Sequence, residues 1–123
     1  MQGVKIRQCE FNIGLHNNPY QDEYEIRDIL NKSGFTLFDT TPSFISKGEW
    51  NGTDEPTFVI NTSTTMSDEQ IDHNVEGLCK IFRQAAIAIL VDNKAGSLVY
   101  HPHYDKLRLT FDRNYFIESY NRN

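Results

Sequence analysis

At 123 residues, 38% of them hydrophobic and 24% charged, the chain has the make-up of one globular domain built on one core, which argues against disorder except at the ends and leaves no room for a second domain. Its 12 basic side chains against 17 acidic ones give a net charge of −5, and no stretch gathers the Lys/Arg cluster that a phosphate backbone requires, so no nucleic-acid partner is expected. The start, Met1-Gln2-Gly3-Val4-Lys5, has no basic segment leading into an apolar run, and no stretch approaches the roughly 18 apolar residues of a membrane span; no membrane is expected as partner, and the expected compartment is the cytoplasm.

Residues 4–13 alternate apolar and polar and predict a first strand. Asn17-Asn18-Pro19 then signals a turn, because Asn tolerates left-handed dihedrals and Pro restricts the residue before it. Residues 21–33 predict a helix: Asp22, Glu23 and Glu25 suit its positive N-terminal end, Tyr24, Ile26, Ile29 and Leu30 are spaced to face inward, and Gly34 supplies a left-handed cap. A second strand is expected in two pieces, Phe35 to Phe38 and Ser43 to Lys47, with Pro42 marking a sheet edge because it cannot donate to a ladder. Asn51-Gly52 suits a tight hairpin, and Thr57 to Thr62 is the returning strand.

Ser67 with Gln70 fits a reciprocal capping box, and Ile71, Val75, Leu78, Cys79 and Phe82 form one apolar stripe, so a second helix follows. Ala85 to Val91 is a nearly continuous apolar run, as in a strand covered on both faces or lying beside another chain. Ser97 to His101 predicts a strand pairing back as a hairpin, and Lys106 to Phe111 alternates like another, while residues 112–120 are left open between helix, loop and arm. The element order β-α-β-β-α-β predicts an α+β, ferredoxin-like sandwich with a C-terminal β-hairpin or arm extension, the core over residues 4–101 and the extension over 102–123. An open mixed sheet with the extension paired alongside is the competing arrangement.

In the ferredoxin-like arrangement the first and third strands are central, the helices cover one face, and the other face is free to meet water, a ligand or another subunit. Gln8, Glu10 and Asn12 fall on that free face, opposite Cys9, Phe11 and Ile13, and the third strand adds Asn61 with either Thr57 or Val59. Solvated side chains are the plain reading. Amides beside one carboxylate also suit a small polar ligand bearing hydroxyls, amides or a nucleobase, or an isologous contact with a second copy. Trp50, the only Trp, sits beside the hairpin and either anchors a partner or folds back on the sheet. The segment from Gly14 to Asn18 precedes a helix N-terminus, but the acidic first turn opposes an anion there.

His101 and His103 are the weak metal candidates, with Asp105 beside them; no third or fourth ligand stands at a telling spacing, so a chance exposed pair is the plainer reading and no metal or other cofactor is expected. Cys9 and Cys79 read as small core residues. No nucleophile elbow, phosphate-cradling glycine loop, HExxH or Cys-His pairing is found. Six rings between Tyr100 and Tyr120 argue that the C-terminal segment packs on its own sheet or on a second copy.

The run from Cys79 to Leu90, a helix end passing through Gln84 into an apolar strand, together with Gly48-Glu49-Trp50, resembles small ferredoxin-like proteins of unknown function from bacteria and phages, over residues 4–92. That resemblance implies the fold and carries no functional residue. The expected function is therefore a small non-catalytic binding or interaction module, homo-oligomeric, with Gln8, Glu10, Asn12, Asn61 and Trp50 as contacts; if encoded by a phage, it would sequester a host small molecule or block a host protein. The alternative is a small enzyme in which Glu10 and a histidine perform acid-base chemistry on a polar ligand.

Overall fold

The computed structural model describes the backbone of residues 5–50, 52–92, 97–101 and 107–111, and the side chains of 5–48 and 52–92. Six strands, β1 (Arg7–Gly14), β2 (Ser43–Trp50), β3 (Thr53–Thr64), β4 (Ile87–Val91), β5 (Ser97–His101) and β6 (Leu107–Phe111), form one sheet in the order β2-β3-β1-β4-β5-β6. Every neighbouring pair is antiparallel. Two helices, α1 (Glu23–Lys32) and α2 (Asp68–Ile81), complete an α+β fold. β3 lies between β1 and β2, and β1 lies between β3 and β4, so each helix connects two strands that run the same way and are separated by a third.

Both helices pack on one face of the sheet. Ile26 and Leu30 of α1 and Ile71, Val75, Leu78 and Cys79 of α2 share one core with Cys9, Phe11 and Ile13 of β1, Phe58 and Ile60 of β3, and Ile87 and Ile89 of β4. The alternation predicted for β1 is what the register realises: Phe11 stands opposite Ile60 and Ile89, with the even-numbered residues on the other side. Phe11 also meets Phe35 edge to face, with ring centres 4.7 Å apart.

The Gly34 closure of α1 and the Ser67–Gln70 box of α2 are made as the sequence predicts, whereas Asp22, expected inside the first helix, stands just before it. Asp22 caps α1 by accepting the Tyr24 N–H at 2.9 Å, and Ser67 and Gln70 form the reciprocal box on α2. Beyond α1, Gly34 takes φ +90°, its N–H bonds the Asn31 carbonyl, and Phe35 N–H bonds the Leu30 carbonyl. That left-handed closure drops Phe35 into the core.

Three expectations need correction. Tyr24 does not face inward but is 73% exposed, because it stands two residues before Ile26, about 200° round the helix from the side that Ile26 and Leu30 bury. Phe35 to Phe38 is not a strand: apart from one bridge from Thr36 to Ser63, the chain loops here to reach β2. Arg27 on α1 ties that loop down through the Phe38 and Thr41 carbonyls and the Ser43 hydroxyl. Finally, β3 begins at Thr53 rather than Thr57, since Trp50 pairs with Thr53 and Gly52 takes φ +78° in the turn. β2 is an edge strand, as Pro42 suggests, and the C-terminal hairpin extends the sheet beyond β4. No helix among the described residues is long and apolar enough to cross a membrane.

Candidate functional site

The face turned away from the helices takes its side chains from alternate positions of the same strands. Along β1 it carries Gln8, Glu10, Asn12 and the bare backbone of Gly14; their cross-strand partners on β3 are Ser63, Asn61, Val59 and Thr57. Across the other border, Glu10 stands opposite Leu90 and Asn12 opposite Ala88 of β4. Directly opposed side chains in such ladders lie about 5 Å apart, so Glu10 and Asn61 are neighbours.

Glu10 and Asn12 act together. Asn12 Nδ2 donates to Glu10 Oε2 at 3.0 Å, and both side chains are half-buried. A carboxylate so held has one oxygen steadied in a fixed orientation. Gln8 and Asn61 beside it are exposed. The four β1 and β3 candidates named from the sequence are thus brought onto one surface. Trp50 lies in β2, but its side chain falls outside the described residues, as do those of His101 and His103 and the ring-rich segment after Phe111. Among the described residues no group of three or more His, Cys, Asp or Glu side chains is placed to hold a metal ion.

The face is not uniformly polar, however. Val59 is only 1% and Ala88 only 4% exposed although both point away from the helices, while Phe44, opposite Val59 on β2, is 59% exposed. Phe44 is therefore the apolar side chain that this part of the face presents, while Val59 and Ala88, which flank Asn12 on β3 and β4, are covered.

At the far end of β1 lies a second carboxylate that the sequence reading did not single out. Glu55, two positions before Thr57 and so on the same face, reaches across to Gly14. Its Oε1 occupies the place that a Cβ on Gly14 would take, and Gln84 Oε1 lies 2.6 Å from that same place. Burial pushes the Glu55 carboxyl above its usual range, opposed by the His16 backbone N–H that bonds it and by the His16 charge.

The loop beneath is firmly built. Asn18, 6% exposed, donates to the Gly14 carbonyl at 3.0 Å and accepts the Tyr20 N–H at 2.8 Å, and Gln21 Nε2 donates to the Leu15 and Asn18 carbonyls. These bonds, with the Asp22 cap, occupy the helix entrance considered from sequence as an anion site. Both cysteines lie in the core, where burial pushes the Cys9 thiol up to about 11 and the Cys79 thiol up to about 12, leaving neither a nucleophile at neutral pH.

No family profile and no curated protein matches this sequence. Among solved structures, a phage SAM lyase in complex with S-methyl-5'-thioadenosine is similar in fold, with a TM-score of 0.50 over 94% of this chain and 95% of that chain at 11% identity.

Proposed function

We propose that this chain binds an adenosine derivative of the S-adenosylmethionine class on the face opposite its helices and cleaves it, with Glu10, steadied by Asn12, meeting the positive sulfur. The observation that carries the reading is the half-buried Glu10–Asn12 pair at the middle of the sheet. A sulfonium is a permanent cation, and a carboxylate with one oxygen held by an amide is a fitting counter-charge. Amides such as Asn61 and Gln8 match the donors and acceptors of a nucleobase edge or ribose hydroxyls. The exposed ring of Phe44 on the same face suits an uncharged ring. The ligand class comes from the whole-chain likeness to a phage SAM lyase, which moves the balance from a passive module towards a catalyst.

The same reading takes the first four strands and two helices as a ferredoxin-like sandwich, supported by the order β2-β3-β1-β4 and by helices confined to one face. It also takes the protein as a homo-oligomer. Phe44 and Ile45, 59% and 57% exposed on the strand that edges the sheet among the described residues, are costly to leave in water. Light scattering during size-exclusion chromatography tests this; a strictly monomeric species at high concentration would remove it.

As the C–S bond to the amino-acid chain breaks, its electron pair stays on sulfur, which becomes the neutral thioether, and the chain carbon bonds instead to an oxygen of water or of the chain's own carboxylate. Sulfur thus loses its positive charge, so a carboxylate that merely held the cation would favour substrate over transition state. Kinetics on Glu10→Gln separate the two roles. Incubation of the full chain with S-adenosylmethionine, followed by chromatography of the nucleosides, should give S-methyl-5'-thioadenosine, and Glu10→Gln should lower kcat as well as raise KM. Stoichiometric retention of S-adenosylmethionine without product would return the protein to the sequestering module; neither binding nor product would end the reading.

A further inference from the structure

We infer that the hollow over Gly14 is a subsite for a primary ammonium, formed by Glu55 and the Gln84 side-chain oxygen on the same face as Glu10. This rests on the proposed reading of that face and adds to it the part of the ligand that lies away from the nucleoside.

The hollow exists because β1 ends on a residue without a Cβ. Glu55 Oε1 stands where that Cβ would be, with Glu55 Cδ at 2.9 Å and Gln84 Oε1 at 2.6 Å from the same point, so two acceptor oxygens converge there. The orientation of Gln84 is fixed: its Nε2 donates to the His16 carbonyl at 3.1 Å and the Phe82 carbonyl at 2.9 Å, which turns its oxygen towards Glu55. Two acceptors facing one another repel unless a donor lies between them. Glu55 is also half-buried, and the bond from the His16 backbone N–H and the His16 charge offset that burial only in part, since its carboxyl stays above the usual range. An ammonium brings several N–H donors and a positive charge, and so answers both deficits.

The position fits the ligand class. Gly14 lies four residues beyond Glu10 along β1, roughly 14 Å by strand rise, and Glu10 leans towards Gly14 through its bond to Asn12. An amino-acid chain attached to the sulfur of an adenosine thioether would carry its ammonium from the Glu10 end towards Glu55.

Calorimetric titration of the full chain with two uncharged-sulfur probes isolates this contact. S-Adenosylhomocysteine carries the amino-acid chain, whereas S-methyl-5'-thioadenosine lacks it. The wild type is expected to bind both, S-adenosylhomocysteine the tighter. Glu55→Gln should weaken S-adenosylhomocysteine by about 10-fold or more and leave S-methyl-5'-thioadenosine within about 2-fold. Gly14→Ala, which fills the hollow, should give the same selective loss, with circular dichroism checking that it folds. If Glu55 instead carries a proton and bonds Gln84 directly, Glu55→Gln reproduces that bond and neither affinity changes, which overturns the inference. Equal loss of both probes, or a wild type that binds only S-methyl-5'-thioadenosine, overturns it as well while sparing the parent reading. A wild type that binds neither probe ends both.

Discussion

The two faces of β1 show how one strand divides its work. Cys9, Phe11 and Ile13 are fully buried under the helices and hold the fold, whereas Gln8, Glu10 and Asn12, interleaved with them, lie on the other side. Because the alternation is strict, each face can change with little effect on the other. Stability belongs to the odd-numbered residues, and the even-numbered ones are those proposed for recognition.

The sharpest test of that division is Phe11→Ala. Removing a ring with no exposure that meets Phe35 edge to face should cost about 3 to 5 kcal/mol in urea denaturation, since the site cannot collapse around the loss. Loss of less than about 1 kcal/mol would mean that the core is not where the helices place it. Ser67→Ala, which removes one half of the α2 capping box, should cost about 1 kcal/mol. Glu10→Gln, on the recognition face, should change stability by no more than about 0.5 kcal/mol while altering ligand affinity, and a large destabilisation would break the comparison.

Two smaller effects probe the environments directly. Cys9 and Cys79, with thiols pushed up to about 11 and about 12 by burial, should resist alkylation in the native protein and react fully in denaturant. Glu55 holds its proton more tightly folded than unfolded, because its carboxyl is raised by burial. Between the unfolded value, about 4.3, and the raised folded one, deprotonation favours the unfolded chain, so stability should fall as pH rises through that window. Thermal melts should lose this slope in Glu55→Gln, and an unchanged slope would place its origin elsewhere.

Much of this arrangement is legible in the residues, for reasons that differ by element. The stripe from Ile71 to Phe82 and the alternation through Phe11 are strong because burial leaves few alternatives, and the caps at Ser67 and Gly34 follow from local hydrogen bonding and dihedral freedom. The polar side of β1 is legible as soon as its period is known. Tyr24 misleads because its ring invites burial, although the 3.6-residue period already places it on the far side of the helix from Ile26. Phe35 misleads because an apolar residue released by a left-handed cap resembles the start of a strand. Glu55 is invisible in sequence, since Asp54-Glu55-Pro56 reads as part of a turn; only the β2–β3 register, which carries β3 back to Thr53, puts its side chain across from Gly14. The one local hint is a glycine closing an otherwise regular strand, which often marks close approach by another group.

The central claim is that an adenosine thioether lies against the even-numbered side of β1. Titrating isotopically labelled protein with S-methyl-5'-thioadenosine, while following amide resonances by NMR, tests it most directly. The account predicts saturable shifts of the side-chain amides of Gln8, Asn12 and Asn61, with α1 and α2 silent. Shifts confined to the helices, or none at millimolar ligand, would contradict it.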